Sequence, residues 1–526
     1  MARLFFAAAL GSLTIVALAP PVEAGTAPSR STDESSSKWG ALLTHSVDLG
    51  QSRARSVDVL VDLRTSTRPT TVLTWADRHE LTARWLSGLA TSVLSGSPAA
   101  LGRGLGVTVD DFRAPNGQLF YATRQQPQVP TSLRGEVTGI GRISSYGRIV
   151  NDYVPDGGLT PSGLMQAYDA TPLESQGDQG QGQTIVFFET DGYAKGDLQG
   201  FQKAYKTPAF QVSKLGQNSG SGKEAPMDLE VAHEVAPAAK LVYLNILSGV
   251  SSQNDAVIFE DAFHLAATRY KGAIWSLSLG VCEADFSPSD LATMNQAVAN
   301  AELAGTTVFA SSGDSGGLEC LDDMLANSAV GVQAPASLPA VTGVGGTALS
   351  VANDGAYLGE TTWTEPLLSQ GTGGGQSSVF SRPSFQTGPG TSSFSSVGDP
   401  CASTSGCREV PDVAALADPV TPVADFESGH KVPGGNGTSV GAPIWAGFTA
   451  LIDTYLHRSG TSPVGAANKW LYRLAASPQK YAPFHDITTG GNAVYAATPG
   501  YDMASGVGSP DVWNLARDLQ SLLGKS

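Results

Sequence analysis

The chain has 526 residues, with 32 basic and 48 acidic side chains and a net charge of −16. So acidic a chain makes a poor partner for nucleic acid, and its length suffices for two domains with a sizeable core. Past residue 24 no stretch is long and apolar enough to span a bilayer as a helix.

Residues 1–24 read as a signal peptide: Arg3, an apolar run from Leu4 to Ala19, then Val22-Glu23-Ala24. The expected product is a secreted, extracellular protein with no membrane contact once the signal is removed. Residues 25–155 carry a net charge of about +3, against about −19 for the remainder. A basic leader beside an acidic body suits a propeptide held partly by electrostatic complementarity. Within the leader, 56–63 alternates as a half-buried strand. Residues 74–89 read as a helix capped by Thr74. Val107–Val109 and Leu119–Ala122 read as strands around the turn Pro115-Asn116-Gly117, which makes the leader a small α+β domain. Residues 147–158 read as a linker, and residues 156–526 as the catalytic domain.

In the body, strands are expected at 184–189, 240–246, 273–279 and 306–311. Helices are expected at 225–235, 254–269, 288–304 and 442–457. Alternating β and α elements predict an α/β fold with a mostly parallel sheet and helices on both faces. Residues 366–407, rich in Gly, Ser and Pro, read as surface loops. The four cysteines of an exported chain predict two disulfides with three conceivable pairings. The favoured one joins Cys282 to Cys320, in loops after neighbouring strands, and Cys401 to Cys407.

Three segments carry chemistry. Gly437-Thr438-Ser439-Val440-Gly441-Ala442-Pro443 places a serine in a Gly-rich turn before an apolar helical pattern. N–H groups and the positive end of a helix dipole favour an oxygen about to become anionic; an ordinary capping serine fits the heptapeptide alone equally well. Glu224 and Asp228, four residues apart, share one helix face, where two like charges repel unless a proton is shared. Asp314 follows an apolar β-branched run, at the strand end where sites form in parallel sheets.

A serine nucleophile needs a base. Histidine, with a reference pKa of about 6.5, is protonated in acid, whereas a carboxylate near about 4 suits acidic operation. A protonated Asp314 can donate to an oxyanion. Two other motif readings fail. Gly313-Asp314-Ser315-Gly316-Gly317 spells a chymotrypsin-type nucleophile motif at Ser315, but the surrounding pattern is α/β rather than all-β. A subtilisin triad would need a histidine motif and an aspartate after the first strand, where Glu189 stands.

With these motifs in place, together with Gly373–Pro383 and Arg408–Val413, the chain resembles the sedolisin family of serine-carboxyl peptidases, and within it the kumamolisin-like members. The resemblance implies a subtilisin-like sheet and a zymogen with an activation propeptide. It assigns Ser439 as nucleophile, Glu224 as general base and acid, Asp228 as its partner and Asp314 as oxyanion stabiliser. It further implies a substrate-lining strand, Ala273–Gly280, with Ser276, Ser278 and Gly280 binding an extended peptide. It places one structural Ca²⁺ on the Asp486 and Asp502 side chains and the Ile487, Thr498 and Gly500 carbonyls. Leu279 stands where such members carry a tryptophan that bonds with a glutamate matching Glu189, so that network must differ here. The expected partners are peptide or protein substrates and the chain's own propeptide, around a monomer. Endopeptidase action is favoured; the alternatives are a tripeptidyl-peptidase or a catalytically silent peptide-binding relative.

Overall fold

A computed structural model describes residue 43 and residues 46–143 and 158–524, apart from short stretches at 66, 86–90, 114–118, 126, 142, 219, 221, 250–253, 321–329, 366–369, 392–405 and 428. The expected signal peptide, and the linker as far as residue 157, lie outside the described residues. The leader folds around its own apolar core, which includes Val59, Val61, Trp75, Leu94, Leu101 and Leu133. Val57–Leu63 is central in a four-stranded antiparallel sheet, and Val109–Arg113, later in the chain than the expected Val107–Val109, pairs with Leu119–Thr123, while the expected turn at 115–117 lies outside the described residues. The expected helix over 74–89 is corrected. The helix runs Thr70–Arg78, Glu80 turns left-handed at φ 58°, and Thr82–Trp85 is a strand. Trp75 and Leu81 are both buried, the first in the helix and the second between its end and the strand, so their spacing imitated one helix. A second helix, Pro98–Leu105, opens on a Ser97 cap and closes at Gly106.

The body is built on an eight-stranded sheet. Its elements in chain order are β1 (Thr184–Glu189), β2 (Val212–Leu215), α1 (Glu224–Val235), β3 (Lys240–Asn245), α2 (Asp255–Arg269), β4 (Ile274–Leu277), α3 (Pro288–Leu303), β5 (Thr307–Ser311), β6 (Thr342–Val351), β7 (Tyr357–Thr362), β8 (Val413–Leu416) and α4 (Thr438–Arg458). The strand order is β7-β6-β5-β4-β1-β3-β2, with β8 also on β6; only β7 is antiparallel. Alternate residues feed two cores, as the pleat requires. Ile185, Phe187 and Phe309 pack with α1 and α4, whereas Val186, Phe188, Trp275 and Val308 pack with α2 and α3. Strands buried on both faces read as continuous apolar runs for this reason.

The chain leaves β1 toward β2 and β3 on one side, then returns to place β4 on the other. This order reverses between β1 and β4, and the crevice outside the carboxyl ends there is where such sheets bind ligands. Residues 366–407 are not all surface loop. Gly375–Ser381 pairs with Cys407–Val410, and a side chain at Gly373 would collide with the Ser312 backbone. Cys282 is bonded to Cys320. Cys407 is also disulfide-bonded, while its expected partner Cys401 lies outside the described residues.

Candidate active site

The four expected reactive side chains come from three elements around that crevice: Glu224 and Asp228 from α1, Asp314 from the turn after β5, and Ser439 from the first turn of α4. Helix α4 starts four residues earlier than its apolar pattern alone predicts, because Gly437 and Asp314 set its start. Gly437 adopts φ 109°, and any side chain there would meet the Asp314 carboxylate. The Asp314 Oδ1 accepts from the Thr438 N–H at 2.8 Å and from its hydroxyl at 2.9 Å. Asp314 therefore caps α4 from across the site, one residue from Ser439. Burial raises its pKa, against the lowering effect of the Thr438 bonds.

Pro443 sits inside α4. Having no N–H, it cannot close the bond to the residue four back, so the Ser439 carbonyl is left free. Ser278, just past β4, lies there, with its Oγ 3.0 Å from that carbonyl oxygen and 2.7 and 2.9 Å from the two Asp228 oxygens. One hydroxyl hydrogen serves only one acceptor at a time. When Asp228 is protonated it can donate to Ser278, whose hydrogen then turns to the Ser439 carbonyl. Ser278 thus ties the acidic helix to the serine helix.

Every residue of α1 after Glu224 is buried. The Glu224 pKa is pushed up to about 7 by burial, opposed by a hydrogen bond with the Ser439 hydroxyl and reinforced by the charges of Asp314 and Asp191. Its Oε1 is buried without a hydrogen-bond partner, and the Ser439 Oγ also lies 3.5 Å from the Ser278 carbonyl. Asp228 is raised well above its usual range by burial and by Glu224, and Glu189 likewise by burial and by Asp228. Glu189, at the end of β1, is hydrogen-bonded to Asp228 and 1% exposed. Three carboxyls, with no cation among the described residues acting on them, hold protons above the usual carboxylate range. An acid–base group is therefore poised beside a hydroxyl at a helix start, which is the arrangement acyl transfer needs. No histidine is hydrogen-bonded to Ser439 among the described residues; His233, on α1, bonds the Pro208 carbonyl instead.

The expected substrate strand needs correction at Ser276. That residue is fully buried in β4, which pairs with β5 on one side and β1 on the other. It has no free edge for a peptide. The strand ends at Leu277, and only Leu279 and Gly280, partly exposed beyond it, face outward. Leu279, standing where the resemblance has a tryptophan, packs on the α2–α3 core, and Glu189 is hydrogen-bonded to Asp228. Asp191 was missed by sequence reasoning, although it accepts the first N–H groups of α1. Its only sequence signal was an acid in the turn after a strand.

Asp486 and Asp502 converge on one loop. The Gly500 N–H donates to Asp486 at 3.0 Å and the Thr498 N–H to Asp502 at 2.9 Å. The Ile487 carbonyl lies 3.5 Å from the Ser505 hydroxyl. Carboxylate and carbonyl oxygens suit Ca²⁺ in chemistry; in this structure the two carboxylates accept from N–H groups of the same loop. No group of three or more His, Cys, Asp or Glu with metal-holding geometry occurs among the described residues.

The Subtilase family profile matches residues 215–466. Kumamolisin of Bacillus sp. (strain MN-32) is 31% identical over 473 residues, covering 83% of this chain and 80% of the relative. Sedolisin of Pseudomonas sp. (strain 101) is 27% identical, covering 77% and 71%. Tripeptidyl-peptidase 1 of Homo sapiens is 25% identical, covering 69% and 64%. The solved structure of Pseudomonas sedolisin complexed with two molecules of pseudo-iodotyrostatin superposes with a TM-score of 0.57 at 26% identity, over 69% of this chain and 98% of that one.

Proposed function

The chain belongs to the sedolisin family of serine-carboxyl peptidases, and on that premise we propose that it is made as a secreted zymogen and cleaves peptide bonds in acid through an acyl-enzyme on Ser439. Glu224 takes the Ser439 proton as the hydroxyl attacks the scissile carbonyl, then returns it to the leaving amine. Asp228, linked to Glu189, shares protons with Glu224, so the group titrates as a unit. Asp314, protonated, donates to the oxyanion that develops one residue from its own anchor on α4. The observation that carries this reading is the buried carboxyl cluster beside Ser439, since burial raises all three groups, so that they share protons through the acid range, where one member can still accept a proton while another holds its own.

The segment beyond β4, with Gly280 and the backbone of Ser278, is the substrate-facing edge in this reading, the Ser278 hydroxyl being turned to Asp228 and the Ser439 carbonyl. The leader acts as an activation propeptide, held by its positive charge on a negative body and released as the body's carboxylates are protonated. Secretion is supported by the charged and apolar start of the chain. A Ca²⁺ ion on Asp486, Asp502 and the Ile487, Thr498 and Gly500 carbonyls would neutralise two carboxylates and pin the loop. Endopeptidase action is favoured because the two relatives above the tripeptidyl-peptidases in identity do not bear that name.

The test incubates the full chain at about pH 4 with a denatured protein. The unaltered chain should shorten itself and degrade the substrate, whereas Ser439→Ala and Glu224→Gln should each lose at least about 10³-fold in kcat. Internal fragments in the mass spectrum mark an endopeptidase, and serial tripeptides the alternative. Full proteolysis by Glu224→Gln would remove the whole assignment.

A further inference from the structure

Helix α1 begins without a cap of its own, because Lys223 before it supplies no side-chain acceptor. Its first N–H groups go across the site to Asp191, two residues beyond Glu189. Asp191 Oδ2 accepts from the Lys223 N–H at 2.8 Å and the Glu224 N–H at 3.1 Å, and Oδ1 from the Ala225 N–H at 3.0 Å. Asp191 is itself held, since its backbone carbonyl accepts from the Tyr243 hydroxyl at 2.6 Å. Gly222 makes room for this approach, as any side chain there would strike the Asp191 carboxylate. The segment after β1 therefore grips α1 twice, through Glu189 on Asp228 and through Asp191 on the backbone of Glu224.

We infer that Asp191 is a positioning residue for the carboxyl pair: it fixes the Glu224 backbone against Ser439 and sets the pH below which the pair is switched off. The inference rests on the reading of Glu224 as the base. Its physics has two parts of the same sign. The Asp191 carboxylate occupies the N–H groups that would otherwise stabilise an anionic Glu224, and it adds negative charge nearby. Both make Glu224 hold its proton to higher pH, in line with the direction of its shift, of which burial is the largest cause.

The groups around Glu224 do not offset this. Glu189 and Asp191 approach from β1 and the turn after it, Asp228 from α1, Ser278 from beyond β4, Asp314 from beyond β5 and Ser439 from α4. Lys223, adjacent in the chain, extends its Nζ to within 3.9 Å of Glu427 instead.

The test is the dependence of kcat/KM on pH, from about pH 2.5 to 7, for the full chain and its Asp191→Asn, Asp191→Ala and Glu224→Gln variants. Asn keeps one acceptor oxygen without the charge. It should move the acid-side midpoint down by about half to one pH unit, with activity at the optimum within about tenfold. Ala should show the same downward move and also lose about 10- to 100-fold, in kcat more than in KM, because Glu224 is no longer fixed. If both variants lose activity evenly at every pH with the midpoint unmoved, Asp191 is a plain helix cap and the inference falls. If Glu224→Gln keeps its activity, the base assignment falls instead, whatever the Asp191 variants do. Should the Ala variant melt below the assay temperature, the Asn profile decides alone.

Discussion

Asp314 caps α4 through Oδ1, which accepts the Thr438 N–H in either proton state; only the protonated form also has a hydrogen to donate, as the proposed oxyanion role requires. Burial favours the acid form and the Thr438 bonds favour the anion, so acidic solvent tips the balance toward donation. Asn at 314 donates at every pH and still offers one oxygen to Thr438. Asp314→Ala is expected to lower kcat by about 10² to 10³. Asp314→Asn should recover part of that loss and flatten the fall in activity on the neutral side of the optimum. A pH–rate profile of the two variants checks this, and an Asn profile that still falls as steeply as the unaltered enzyme would mean Asp314 does not set that limb.

Helix α1 carries a second acidic face that the chemistry does not use. Glu230 accepts the Phe426 N–H at 2.8 Å, and its pKa is pushed up to about 12 by burial and by a hydrogen bond with Asp425. Glu234 is 4% exposed with neither oxygen hydrogen-bonded among the described residues, and burial and Asp425 drive its pKa well up. A buried carboxyl without partners costs stability, most when the solvent favours ionisation, and an apolar replacement of similar size is commonly neutral or better. Glu234→Leu is therefore expected to stabilise by about 1–3 kcal/mol near pH 7 and by less near pH 4, without lowering proteolysis in acid. Thermal melts at the two pH values test it; a gain equal at both would mean Glu234 never ionises in the folded state.

This element also shows how far sequence reading reached. The i,i+4 carboxyl pair, the Gly-rich serine turn and the apolar strands were legible, because period and motif are local properties. The cap by Asp191, the bridge by Ser278 and the burial of Ser276 depend on which strands become neighbours, and no local pattern encodes that. The leader helix went astray for the same reason: Trp75 and Leu81 meet one core from either side of the turn at Glu80.

At the scale of the whole molecule, burial works in one direction on the acidic groups. Glu224, Glu409 and Asp453 are pushed up to about 7 and Glu302 to about 8, with burial the first cause in each. A carboxyl whose folded pKa lies above its unfolded value contributes stability that is full below about pH 4 and lost as pH rises through the folded pKa, here between about 4 and 8. Two histidines oppose this. His233 and His485 are lowered to about 4 by burial, so their contribution is present above about 6.5 and lost as pH falls toward 4.

The raised carboxyls outnumber the lowered imidazoles, so the melting temperature should be highest near pH 4–5 and should fall steadily toward pH 8. The two loop carboxylates at 486 and 502 add a distinguishable effect. Ca²⁺ at the proposed site requires them ionised, so if the ion is bound there chelation should lower the melting temperature near pH 6 and do little near pH 3. Calorimetry across pH, with and without chelator, separates the two effects. A melting temperature that rises from pH 4 to pH 7 with chelator present would mean that the buried carboxyls are neutralised by something other than protons, and the acid-adapted character of both fold and site would have to be abandoned together.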